Sequence, residues 1–209
     1  MKSRPYLVPR LQVSYWCVML AVTLYCGPAL AQTDNPFKNL IRQAQALRKA
    51  NQADSVILLM HRAIELAAGQ PEMADSTRFV LYELLGWGLF RQGNDAASDS
   101  IWTLAQQIAP GSAGPSDSLR AGLFSDFGNL YKKRRAFDKS EVSYKKALEL
   151  RQKVFGPEHA LVAASMAEIA SVYHATNRIT DAADLYDKAL TMQIKASGPN
   201  HPLVADIQM

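Results

Sequence analysis

Residues 156–163 read GPEHALVA, and residues 198–205, 42 positions on, read GPNHPLVA. A near-copy at a fixed interval marks a repeat array, in which each unit is one supersecondary element stacked on the next. Gly tolerates a left-handed helix cap and Pro lacks the amide donor that a continuing helix needs, so each copy stops a helix and delays the following one. Gly114-Pro115 gives the same punctuation one interval upstream, and a looser stop, residues 68–74 (AGQPEMA), holds the phase in the first unit. Behind the three Gly-Pro pairs come Leu119, Leu161 and Leu203, then Ala121, Ala163 and Ala205.

The interval extends through the chain. Ala63, Ala105, Ala147 and Ala189 form one column, with the large residues Met60, Trp102, Tyr144 and Tyr186 three positions earlier. Upstream, the small residues Ala44, Gly86, Gly128 and Ala170 keep step, preceded by Gln43, Leu85, Phe127 and Ile169 and followed by Leu47, Leu89, Tyr131 and Tyr173. In the third unit Phe124, Phe127, Gly128 and Tyr131 fall on one stripe at 3.6 residues per turn. A polar break, Lys133-Arg134-Arg135-Ala136, precedes a second stripe of Phe137, Ser140, Tyr144, Ala147 and Leu148. Each unit therefore reads as two antiparallel helices. Small residues let the helix backbones approach and large ones fill the space beside them, and a pair this short buries its face only by stacking on neighbours.

This pattern resembles the tetratricopeptide repeat, with its large residue, Leu-Gly and Tyr on a first helix and Ala, aromatic, Ala on a second. Unit three carries Phe124, Phe127-Gly128, Tyr131, then Ser140, Tyr144 and Ala147; unit four carries Met166, Ile169-Ala170, Tyr173, then Ala182, Tyr186 and Ala189. The 42-residue interval and the GPxH linker are similar to the longer subtype of kinesin light chains and many bacterial multi-repeat proteins. The Tyr three after the small column and the pair Ala147-Leu148 favour it over HEAT and armadillo repeats, which share a period near 40–47. The resemblance implies an all-α fold, a right-handed superhelical solenoid of antiparallel helix pairs. The phase places a linker at 32–36, a degenerate repeat at 37–78, repeats at 79–120, 121–162 and 163–204, and the start of an incomplete fifth at 205–209.

Ahead of the array, Lys2, Arg4 and Arg10 precede an apolar stretch from Val13 to Leu24, a Gly27-Pro28 breaker and the small-residue run Ala29-Leu30-Ala31. That order predicts a signal peptide over 1–31, cleaved after Ala31, and so a periplasmic or extracellular protein with no membrane insertion after cleavage. Leu11 to Ala31 is almost long enough to span a bilayer, but Ser14, Tyr15, Tyr25 and the Gly-Pro break favour cleavage over a retained anchor. Those three cations leave 20 of the 23 basic residues against 19 acidic ones, so the net charge of +4 belongs mostly to the leader. Nucleic acid is accordingly not expected as a partner. Cys17 and Cys26 also lie in the leader, which leaves no disulfide framework; resemblance to bacterial lipoproteins wants a small residue where Tyr25 stands, which favours Cys26 as an apolar filler over a lipid-modified N-terminus.

Catalysis finds no footing in the sequence. His159 and His201 repeat at one linker position, which suits a residue at a helix start better than a metal ligand, and His61 and His174 are isolated. The acidic residues show no paired-carboxylate constellation, and neither a phosphate loop nor a nucleophile elbow occurs. No enzyme activity, metal or cofactor is expected.

With positions 4, 7, 8 and 11 buried, positions 2, 5, 9 and 12 of each first helix project to the other side. The resemblance makes that side a concave groove that binds a protein or peptide. It contributes Gln45 and Arg48 from unit one, Glu83, Trp87 and Phe90 from unit two, Asn129 and Lys132 from unit three, and Ser171 and His174 from unit four, with Arg91 and Lys133 one position on. Exposed aromatics among cations and an amide suit an extended backbone with acidic side chains. Trp87 and Phe90 have an alternative, packing against unit one or the leader-proximal segment. The open end after His201 predicts self-association, and also a second reading. On that reading the chain is the repeat portion of a larger bacterial protein continuing into an effector such as a caspase-like protease or a membrane-linked signalling module.

Overall fold

A computed structural model describes residues 36–68, 73–108 and 115–198. The expected signal peptide and cleavage site, residues 32–35 of the linker, His201 and the partial fifth repeat lie outside the described residues. Among those described, eight helices form four antiparallel hairpins: α1 (Pro36–Lys49) with α2 (Ala53–Ala68), α3 (Asp75–Arg91) with α4 (Asp95–Gln106), α5 (Asp117–Lys133) with α6 (Phe137–Phe155), and α7 (Ala160–Ala175) with α8 (Ile179–Ser197). Each first helix packs on the first helix of the next hairpin as well as on its own partner, which makes the array an all-α solenoid. The second, third and fourth hairpins begin at Asp75, Asp117 and Ala160, a few residues ahead of the unit starts placed by the phase. Pro36, assigned to the linker, opens α1 instead, because a proline at the first helical position gives up an amide that has no partner there.

The 42-residue interval has a direct backbone counterpart. Asn51, Gly93, Arg135 and Asn177, each 42 residues from the next, adopt φ of 56°, 83°, 59° and 61° in the turn inside their hairpins. In each turn the next amide reaches back to the fifth carbonyl before it: Gln52 to Leu47 at 2.9 Å, Asn94 to Leu89 at 2.9 Å, Ala136 to Tyr131 at 2.9 Å and Arg178 to Tyr173 at 2.8 Å. These are Schellman caps, which satisfy the last carbonyls of the first helix and reverse the chain. Between hairpins the stop differs. Gly156 and Gly198 combine φ of 83° and 84° with ψ of 165° and 161°, an extended conformation held essentially by glycine alone rather than the left-handed helical cap expected from the sequence. Past Gly156, His159 caps α7, its Nδ1 accepting from the Leu161 amide at 3.1 Å while its ring stacks on Phe155.

Close approach inside the hairpins explains the small column. A Cβ on Gly86 would fall into the Trp102 indole, and one on Gly128 into the Tyr144 ring. Both aromatic residues are fully buried. Ser98 and Ser140 donate to the Gly86 and Gly128 carbonyls at 3.0 and 2.8 Å, drawing the second helix onto the first. Phe124, Phe127 and Gly128 of the predicted stripe are buried and Tyr131 is half-buried. Polar ties then join successive hairpins at the rim: Gln92 to Asp54 at 2.5 Å, Lys133 to Asp95 at 2.6 Å and Arg178 to Glu141 at 2.8 Å.

Candidate functional site: a groove on the first helices

The last two turns of α3 and α5 face an open cavity of about 480 Å³ lined by Trp87, Phe90, Arg91, Asp126, Asn129, Lys132 and Lys133. Six of these seven are residues expected to face a partner. Trp87 satisfies both of its alternatives, since it packs against the core of the first hairpin and also lines the cavity. Phe90 packs within its own hairpin, its ring 5.9 Å from that of Trp102, and Trp102 continues to Phe127 at 5.8 Å and Phe127 to Tyr131 at 5.8 Å. The aromatic floor of the groove is thereby anchored to the core.

The cations differ in how they are held. Arg91 is exposed and has no ion-pair partner among the described residues. Lys133 pairs with Asp95 and lies 5.1 Å from the Phe90 ring centre. Lys132 is half-buried and donates to Ser171 Oγ at 3.0 Å; burial pulls its ammonium below the ordinary range, with the negative charge of Glu168 opposing. Ser171 in turn donates to the Glu168 carbonyl at 2.7 Å, so it reaches the groove only through Lys132. Arg48 stands behind Trp87, its guanidinium 5.4 Å from the ring centre. His174 is exposed in the last turn of α7 and is not brought into the cavity.

Acidic residues supply what the sequence pattern did not foretell. Arg48 of α1 contacts Glu83 of α3 and reaches Asp126 of α5 at 3.3 Å, with side-chain exposure of only 12% for Glu83 and 11% for Asp126. Glu83 and Asp126 thus share one guanidinium, which brings the two carboxylates together. The sequence justified no paired carboxylates, and this pair forms between hairpins, where no spacing inside one unit reveals it. Burial raises the Asp126 carboxyl well above its ordinary range and the charge of Glu83 adds to this, while Arg48 offsets part of it. A second acid, Glu168 on α7, is raised by burial against the opposing pull of Arg151 and a 3.0 Å hydrogen bond from Ser125. One sequence signal was available: Asp126 stands with Ser125 between Phe124 and Phe127 of the buried stripe.

Residues 119–195 match the tetratricopeptide repeat family. Among solved structures, a kinesin light chain with nearly identical tetratricopeptide-like repeats from Podosopora anserina superposes with a TM-score of 0.64 at 15% identity, covering 84% of each chain. A point variant of that protein gives 0.64 at 16%, over 85% of this chain and 84% of that one. BtubC (BKLC) from P. vanneervenii gives 0.56 at 19%, over 83% of this chain, which spans 63% of the BtubC chain. No curated protein matches. The family match is thus confined to residues 119–195, and the fold of the described residues is the one seen in solved tetratricopeptide-like repeat structures.

Proposed function

We propose that this tetratricopeptide-repeat chain is an exported scaffold that takes an extended, acidic segment of a partner protein in the groove between α3 and α5. The observation that supports this is the chemistry left over at the cavity wall. Trp87 and Phe90 offer apolar faces. The polar groups with capacity to spare are donors: the exposed Arg91 guanidinium, the Lys132 ammonium beyond its bond to Ser171, and the Asn129 amide nitrogen. Asp126, the acid in the lining, is held toward its neutral form and so opposes an anionic ligand less than its formal charge suggests. Export rests on the basic, apolar and A-x-A order of residues 1–31.

Arrayed nonamer peptides of graded charge, probed with the purified chain, test the reading. Acidic peptides carrying an apolar side chain should be captured, and the double variant Asn129→Ala, Lys132→Ala should lose that capture with its helical circular dichroism intact. Equal capture by the variant, or a preference for basic peptides, would sink the groove assignment.

A further inference from the structure

Tyr144 lies on α6 with its ring fully buried against Gly128, yet its hydroxyl reaches a groove residue. Its Oη donates to Asn129 Oδ1 at 2.7 Å. The neighbouring Ser140 hydroxyl spends its own proton on the Gly128 carbonyl at 2.8 Å, so Tyr144 is the donor that Asn129 meets on this side. Burial, reinforced by the nearby charge of Glu168, pushes the Tyr144 hydroxyl up, and it stays protonated throughout any working pH range. The oxygen of the Asn129 amide is thereby occupied. Its nitrogen, carrying two N–H donors, has no hydrogen-bond partner among the described residues and belongs to a side chain that lines the cavity.

The equivalent residues elsewhere in the array do not act this way. Trp102, 42 residues earlier, gives its indole N–H to the Glu83 backbone carbonyl at 3.0 Å and so holds no groove side chain. The positions matching Asn129 are Gln45, Trp87 and Ser171, and Ser171 is engaged by Lys132 instead. The contact between second-helix hydroxyl and groove amide is therefore particular to the third hairpin among the described residues.

We propose that Tyr144 is a positioning residue for the groove: it pins the Asn129 amide so that both N–H donors face the ligand, selecting an oxygen acceptor at that point and rejecting a donor. A free amide can rotate to offer either its oxygen or its nitrogen, whereas a pinned one offers donors alone and loses less freedom on binding. The assignment rests on the groove reading above, and it adds a residue outside the groove that sets the groove's polarity.

Two measurements on the full chain test it. In 15N-labelled protein without ligand, both Asn129 side-chain amide protons should exchange with water at exposed rates while the group stays ordered. Tyr144→Phe, which keeps the ring against Gly128, should release that order. Slow exchange at either proton, which would put the nitrogen rather than the oxygen on Tyr144, overturns the proposal, as does unchanged order in the variant. With the tightest arrayed peptide as probe, Tyr144→Phe should weaken capture about 3- to 10-fold, the range of one hydrogen bond. In an Asn129→Ala background it should add nothing, a coupling that a merely structural tyrosine would not show. Capture by the parent chain that ignores Tyr144→Phe overturns the positioning role alone. Failure of every arrayed peptide to bind sinks the groove reading and this role with it.

Discussion

Arg48 and Asp126 stand 78 residues apart in the chain and 3.3 Å apart in space, so the first hairpin is tied to the third past the second. Glu83 holds the other side of the same guanidinium. Removing Arg48 would leave two acids packed together with no cation between them. Arg48→Ala should therefore cost about 2 kcal/mol, below the 3–5 kcal/mol of a fully buried pair because Arg48 is 31% exposed. Urea unfolding of parent and variant gives the number, and a loss under about 0.5 kcal/mol, the level of an ordinary surface pair, would show that water replaces Arg48 there.

The same cluster makes stability depend on pH. Burial and Glu83 raise the Asp126 carboxyl above its ordinary 3.8, so the folded chain holds that proton more tightly than the unfolded one. The resulting stabilisation is complete below the ordinary value and is lost as pH rises through the raised, folded value. Asp126→Asn keeps a neutral group able to accept from Arg48 and donate to Glu83. It should melt about 2–4 °C above the parent at pH 8, equivalent to about 1 kcal/mol, and the gap should close toward pH 4. Melting curves that run parallel over that range would remove Asp126 as the titrating group.

Gly128 is the tightest joint of the third hairpin, since an added Cβ meets the Tyr144 ring. Gly128→Ala should cost about 1–3 kcal/mol through overpacking, despite alanine's better helix propensity. Tyr144→Leu in the same chain should recover part of that loss by clearing the ring. Thermal melts of the single and double variants decide it: a double variant less stable than the sum of the two singles contradicts the contact.

Arg135 sits at φ 59°, where its counterpart in the second hairpin is Gly93 and in the first and fourth are Asn51 and Asn177. A side chain there costs about 1 kcal/mol, and asparagine and glycine bear the conformation best. Arg135 recovers only a contact at 5.9 Å with the Phe137 ring. Arg135→Asn should raise the melting temperature, whereas Gly156→Ala, in a conformation essentially reserved for glycine, should lower it. A drop in melting temperature with Arg135→Asn would mean the ring contact outweighs the backbone strain.

Much of this architecture was legible because it repeats. Gly86 beside Trp102 and Gly128 beside Tyr144 stand in register, and a small column followed at a fixed distance by a large one told of helices in contact from the pattern alone. Groove residues on α3 and α5 followed from the opposite face of the same stripe. What escaped was whatever lies between units or breaks the phase. Glu83 and Asp126 are 43 residues apart, one off the interval, and meet only because adjacent first helices pack side by side. The left-handed column was hidden in another way, since Arg135 is not a residue that announces a positive φ. Cations read as free to grip a ligand are partly spent, Lys133 on Asp95 and Arg48 on two acids, which no face assignment can reveal.

Gly156 and Gly198 share one backbone conformation to within a few degrees. The third and fourth hairpins therefore end in the same backbone turn at these glycines. The segment 157–198 could be spliced in again after Gly198 to lengthen the array by one hairpin without redirecting its axis.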